Sequence, residues 1–262
     1  MRRLSLIILC LAMTPFSHAE DWSKTYTITG KPNLRIETSD ANIHVDTWNQ
    51  NTIEAKITTE HYKIGAGGIK IEEHQNGDTV ELQVRFPHDV QFGFNLHSNR
   101  VDIDIHMPKE GHIDLHTGDG SIHLANFKGE MNLQSGDGRQ DIDSVEGALR
   151  AHAGDGHIQA AGRFDSLEIT TGDGHIDARA LPGSIMSSAW ELHAGDGSVT
   201  LRLPDNFAAD VDLRTGDGHI TTDVPISVQG SRNKSEVRGK LNGGGNPLTI
   251  RTGDGSIRLG RS

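Results

Sequence analysis

The 262 residues carry 25 Lys and Arg against 36 Asp and Glu, a formal charge of −11 with His neutral, and aromatic residues make up only 5%. That acidity speaks against a nucleic-acid binder and against a protein drawn to anionic membrane surfaces. A hydrophobic content of 34% is lean for a globular core of this length and suits a thin, repetitive one.

Residues 1–19 have the layout of a secretory signal peptide. Arg2 and Arg3 form a charged start, Leu4 to Met13 an apolar run too short to span a bilayer, and Ser17-His18-Ala19 a small-residue cleavage site. The alternative is an uncleaved anchor. Cleavage would take the formal charge to −13 and remove Cys10, the single cysteine, so the mature chain would hold together by packing and hydrogen bonds alone. The chain is therefore expected to be exported, to the periplasm, the cell surface or the medium, with no transmembrane segment in the mature part.

Residues 20–110 read as an irregular N-terminal β region of a single domain spanning 20–262. Leu34, Ile36, Thr38, Ile43 and Val45 alternate about Asp40. Ile53, Ala55 and Ile57 make another strand; Ile69 and Ile71, then Val80, Leu82 and Val84, flank a hairpin turn at Asn76-Gly77-Asp78. Val101, Ile103, Ile105 and Met107 form a further strand ending at Pro108.

From 111 a unit repeats. Gly-Asp-Gly recurs at Asp119, Asp137, Asp155, Asp173, Asp196, Asp217 and Asp254, the first four 18 residues apart and the later steps 23, 21 and 37. A period near 20 signals stacked units. Six and four residues before each Asp stand residues such as Ile113 and Leu115, Leu167 and Ile169, or Leu248 and Ile250. Two before stand Thr117, Ser135, Ala153, Thr171, Ala194, Thr215 and Thr252; three after stand Ile122, Gln140, Ile158, Ile176, Val199, Ile220 and Ile257. The spacing of two is the strand period, and the odd step across the Asp requires a bend to keep the apolar face inward. The paired glycines (Gly118 and Gly120, Gly136 and Gly138, Gly154 and Gly156, Gly172 and Gly174, Gly195 and Gly197, Gly216 and Gly218, Gly253 and Gly255) are read as residues that reach φ > 0 in that bend. Two arrangements satisfy the unit: a β-solenoid, resembling a parallel β-helix of coils about 18 residues long, or a run of antiparallel hairpins. The equal coil lengths favour the solenoid. The regular repeats span 111–223; residues 224–247 read as a protruding hairpin or mobile loop; and 248–262 form a final repeat whose Leu259-Gly260-Arg261-Ser262 is a charged stop at the end of the stack. Open ends invite strand addition, and with both ends capped a monomer is expected.

The chemistry on offer is modest. Stacked aspartates about 4.8 Å apart repel by roughly 1 kcal/mol in water. They must point outward, accept hydrogen bonds from their own turns, or bind cations. The first two make them structural; the third makes all seven calcium ligands, although calcium takes six to eight oxygens and one carboxylate per turn supplies few. His157 and His175 follow the turns on adjacent coils, with His219 at the same position, and His116, His152 and His193 share another. They read as surface histidines, with zinc or copper binding as the alternative. No catalytic residues and no obligatory cofactor are indicated. A glycan-active β-helix enzyme would need a cleft of acids on longer coils and usually aromatic platforms; Trp190 lies in a core column instead.

Val101-Asp102-Ile103-Asp104-Ile105-His106-Met107-Pro108 leading into Gly118-Asp119-Gly120, Leu201-Arg202-Leu203-Pro204, and Gly243-Gly244-Gly245 through Leu248-Thr249-Ile250 to Gly255-Ser256-Ile257 resemble the bacterial putative-adhesin domains of β-strand repeats, whose function is largely unassigned. The resemblance implies an exported solenoid-like protein and offers no catalytic residues. The expected function is a non-enzymatic adhesion, interaction or scaffold module of the bacterial envelope with an unknown protein or glycan partner; a calcium-binding repeat protein comes second and a glycan-active enzyme third.

Overall fold

A computed structural model describes residues 19–87, 100–232 and 234–262. The expected signal peptide lies outside them except for Ala19, as does Asn233 of the polar stretch. The described chain forms 21 strands and no helix.

The N-terminal strands are β1 (Ala19–Thr27), β2 (Asn33–Thr38), β3 (Asn42–Trp48), β4 (Thr52–Glu60), β5 (Lys70–Asn76), β6 (Thr79–Arg85) and β7 (Arg100–Pro108). The repeats follow as β8 (Glu110–His116), β9 (Ile122–Ala125), β10 (Lys128–Ser135), β11 (Gln140–Ala153), β12 (Ile158–Thr171), β13 (Ile176–Ala180), β14 (Trp190–Ala194), β15 (Val199–Leu203), β16 (Ala209–Thr215) and β17 (Ile220–Thr222). The chain closes with β18 (Ile226–Arg232), β19 (Glu236–Leu241), β20 (Pro247–Thr252) and β21 (Ile257–Arg261).

The repeat strands pair in parallel, so the solenoid is the arrangement adopted and the hairpin run is not. Each coil runs along one face, turns at Gly-Asp-Gly, and returns along the other. β11 and β12 are long because each bends at the opposite edge and serves both faces: Met131, Leu149 and Leu167 align on one, and Ile122, Gln140 and Ile158 on the other. Inward residues alternate with outward ones, as in the burial pattern of β16, and the columns meet in one apolar core between the faces. At the opposite edge the core is closed by aromatic rings, with Trp190 fully buried between Phe164 (6.2 Å) and Phe207 (4.9 Å).

The coils do not stack in chain order. β20 lies between β14 and β16, pairing Leu248 with both Trp190 and Val211. β21 likewise lies between β15 and β17, pairing Ile257 with Val199 and Ile220. The final repeat is thus an inserted coil, and the expectation that it ends the stack is overturned. The same happens at the other end: β2 sits between β6 and β8, and β3 between β7 and β9. Neighbouring coils carry the same columns, so an insert packs as well as a sequential coil does.

Antiparallel strands cover both ends of the stack. β4 pairs with β7 and carries β1, while β5 pairs with β6. β1 and β5 then join across the end of the core, where Lys24 meets the Glu73 carboxylate and Gln75 Nε2 donates to Thr27 O at 2.9 Å. At the other end the stretch expected to be a protruding hairpin or a mobile loop is a hairpin of β18 and β19, laid on the last coil and not protruding from it. β19 runs antiparallel to β16 and buries Val237 and Leu241.

The turn glycines serve a different purpose from the one expected. None has a positive φ; the left-handed residues of the repeats lie at the opposite edge, at Asn126, Ser144, Gly129 and Gly147. The turns instead stack backbone on backbone. A Cβ on Gly120, Gly138 or Gly174 would lie 1.9–2.0 Å from the carbonyl oxygen of Ala41, Gly120 or Gly156 on the preceding coil. The coil about Asp40 carries Ser39 and Ala41 in place of glycines; its outer neighbours are β6 and β7, and the sequence between those two strands has no Gly-Asp-Gly. Gly138→Ala is expected to cost about 3 kcal/mol, the upper range for overpacking, and to lower Tm by roughly 6–12 °C. Ala41→Gly is expected to cost about 1 kcal/mol. Thermal melts followed by circular dichroism check both.

Candidate functional site

The Gly-Asp-Gly edge is the most regular part of the surface. In spatial order its turns are those of Asp40, Asp119, Asp137, Asp155, Asp173, Asp196, Asp254 and Asp217. A backbone ladder joins them: Gly136 N donates to Gly118 O (2.5 Å), Gly154 N to Gly136 O (2.8 Å), Gly172 N to Gly154 O (2.5 Å), Gly195 N to Gly172 O (2.7 Å), Gly253 N to Gly195 O (2.5 Å) and Gly216 N to Gly253 O (2.7 Å). Asp119 N begins it on Ser39 O at 2.9 Å.

A second ladder runs just inside the first. Thr117 Oγ1 donates to Ala41 O (2.9 Å), Thr171 Oγ1 to Gly156 O (2.9 Å), Thr252 Oγ1 to Gly197 O (2.6 Å) and Thr215 Oγ1 to Gly255 O (2.6 Å). Each hydroxyl is buried and ties its coil to the carbonyl of the turn before it. Sequence reasoning took this column only as small and inward-facing; the recurrence of threonine where valine would pack was the available signal. Gln140 breaks the apolar column for a related reason. It is fully buried, and its Nε2 donates to Ser135 Oγ at 2.9 Å and to His152 O at 2.6 Å.

All seven aspartates named above as calcium candidates are exposed. Among the described residues none of their carboxylates hydrogen-bonds its own turn, so of the two structural alternatives the carboxylates point outward and do not accept from the turn; the neighbouring coil's carbonyls take up turn N–H groups instead. The carboxylates lie over the next turn, with Asp155 Oδ1 3.0 Å from where a Cβ of Gly172 would be. Among the described residues no three His, Cys, Asp or Glu side chains come together as a group able to hold a metal ion.

His157 and His175 do meet, ring to ring at 6.1 Å and edge-on. His219 shares their row but is separated from them by Ser198 and Ser256, and its Nδ1 lies 3.0 Å from Ser256 Oγ. His116, His152 and His193 share one outward row with Gln134 and Thr170 interleaved. At the N-terminal end the backbone amides of Thr29 and Gly30 hold the Asp78 carboxylate below the usual carboxylate range, and Thr29 N donates to Asp78 Oδ1 at 2.7 Å in the turn between β1 and β2. Among the described residues no helix is long and apolar enough to cross a membrane.

The family model described as Toastrack DUF4097 matches residues 93–260. The chain belongs to the Toastrack DUF4097 family. No curated protein matches it. Among solved structures this Toastrack chain is similar to a putative cell adhesion protein from Clostridium sporogenes ATCC 15579, at 14% identity and a TM-score of 0.44 over 94% of this chain and 100% of that one. It is also similar to a putative adhesin from Bacteroides fragilis NCTC 9343, at 12% and 0.40 over 93% and 97%. A putative lipid binding protein from Parabacteroides distasonis ATCC 8503 gives 13% and 0.36 over 93% and 98%.

In the Toastrack array the fold opposes the protonation of His157. Burial, then the positive Arg139, holds His157 below its ordinary value of 6.5. With a depressed folded value, the unfolded chain binds the proton first, so the stabilising effect of the neutral ring is lost as pH falls below about 6.5. His157→Gln is expected to melt within a few tenths of a kcal/mol of the parent at pH 8 and to lose less stability than the parent between pH 7 and pH 5. Urea titrations across that range check it.

Proposed function

We propose that the chain is an exported, monomeric, non-enzymatic interaction module of the bacterial envelope, in the periplasm, on the cell surface or secreted. It acts by presenting its outer faces to a protein or glycan partner. The observation that carries this reading is the ordered polar face. Glu81, Arg35, Asp114, Asn132, Arg150 and Glu168 lie in one row across six parallel-paired strands. Arg35 and Asp114 pair at 3.1 Å, Asn132 Nδ2 donates to Asp114 at 2.9 Å, and Arg150 and Glu168 pair at 2.9 Å. These exposed pairs add little stability, yet they fix the side chains before any partner arrives, which lowers the ordering cost of docking.

A triple variant, Asp114→Ala, Arg150→Ala and Glu168→Ala, is expected to melt within about 2 kcal/mol of the parent, as exposed pairs cost little. It is also expected to lose capture of the partner that the parent cross-links to in envelope fractions. Capture at the parent level by a folded triple variant would remove this face from the function.

We propose also that the aspartate turns are structural and not cation sites, since exposed carboxylates spaced one per coil present few oxygens to any one ion. Melts in EDTA and in millimolar calcium are expected to coincide. A rise of about 10 °C or more, which at 2–4 °C per kcal/mol reports several kcal/mol of linked binding, would make calcium binding the leading function.

A further inference from the structure

The inserted coil enters its place through a short link, residues 242–246. Asn242, Gly243 and Gly244 have φ of 46°, 92° and 89°. Two glycines here leave the bend free to adopt other angles at little steric cost. Six hydrogen bonds set the link in this conformation: Asn242 Nδ2 donates to Asp205 O and to Phe207 O, each at 2.8 Å, Gly244 N to Leu241 O at 3.0 Å, Gly245 N to Asp210 Oδ1 at 3.3 Å, Asn246 Nδ2 to Met186 O at 2.6 Å, and Asp210 N to Asn246 O at 3.1 Å. β20 and β21 follow this link directly, whereas β2 and β3 lie between β1 and β4.

The slot that β20 and β21 occupy is walled by two coils adjacent in sequence, β14 with β15 and β16 with β17. The walls recognise the insert by its columns and turn. Leu248 and Ile257 fill the core, Thr252 Oγ1 bonds Gly197 O at 2.6 Å, and Gly255 O accepts from Thr215 Oγ1 at 2.6 Å. None of these contacts depends on which chain supplies the coil.

We propose that residues 247–261 form an exchangeable coil and that a second copy of this chain can donate its own into the slot, giving a reciprocal dimer hinged at 242–246. Every strand pairing of the monomer is kept in such a dimer, so the two states differ in the link, with the hydrogen bonds that it makes in the monomer, and by mass action. The end caps of the stack are untouched, and self-association proceeds through the inserted coil and not through strand addition at an open edge.

The test uses the whole chain carrying Cys10→Ser, with Glu191→Cys and Thr249→Cys added. These two positions are register partners on β14 and β20. Neighbouring strands lie about 4.8 Å apart, within the Cα separation of about 4.4–6.8 Å that a disulfide spans. Two mass-tagged forms are mixed, warmed to the onset of melting, cooled, and read by native mass spectrometry. The reduced pair is expected to yield mixed dimer, with a dimer-to-monomer ratio that rises about tenfold for a tenfold rise in concentration. The pair oxidised before mixing is expected to yield none until a reductant is added. Absence of mixed dimer from the reduced chains at their highest soluble concentration would overturn the proposal. So would equal dimer from the oxidised chains, which would place the contact elsewhere.

Discussion

The structure depends on one close approach, between the backbone of each Gly-Asp-Gly turn and the carbonyl groups of the turn before it. A side chain on the second glycine would collide with a carbonyl oxygen far inside van der Waals contact, as the 1.7 Å separation at Gly197 shows. Because that position is bare, the turns settle at strand spacing, the amide ladder continues from face to face, and the threonine hydroxyls reach the neighbouring carbonyls. The edge, the two faces and the core are then held in a single register. A slip of one residue would break both ladders as well as reverse the inward columns.

The same uniformity lets the stack depart from chain order. A coil presents its neighbours with two short apolar columns, a small or hydroxylated residue and a glycine turn, and any coil with those features fits any slot. The chain uses this twice, inserting β2 with β3 near one end and β20 with β21 near the other. Each insertion separates coils consecutive in sequence and ties distant segments together. A purely sequential array can open repeat by repeat; here an outer coil cannot leave its end without exposing an insert contributed from elsewhere in the chain. Antiparallel strands cover outer strands of the stack at both ends.

Much of this could be read from residues alone, because burial at period two leaves a mark on residue type. Leu34, Ile36, Ile43 and Val45 were recognisable as a copy of the unit without any glycine, and Trp190 as a packing residue. The order of the coils could not be read. Val211, Leu213 and Thr215 resemble Leu248, Ile250 and Thr252 as neighbours for β14, and no local preference decides between them. The glycines misled for a related reason. Glycine marks both left-handed turns and close backbone approach, and only the positions of the neighbouring carbonyls distinguish the two. The 224–247 stretch read as a protruding hairpin or a mobile loop because its polar and glycine content is high, yet Val237 and Leu241 sit two periods apart on one face of β19 and anchor it to the last coil.

This division of labour bears on function. The edge and the inward columns are constrained by their neighbours, so they carry the fold and leave little freedom for chemistry. The outward rows carry no such constraint. Arg35, Asp114, Arg150 and Glu168 are held by one another and not by the core, and any of them can change without moving the backbone. A scaffold of this kind separates the part that must repeat from the part that can vary. In the interaction module proposed above, rows of side chains at fixed strand spacing would carry recognition, and a partner reading several coils at once would gain from a spacing already set by the turn ladder beneath.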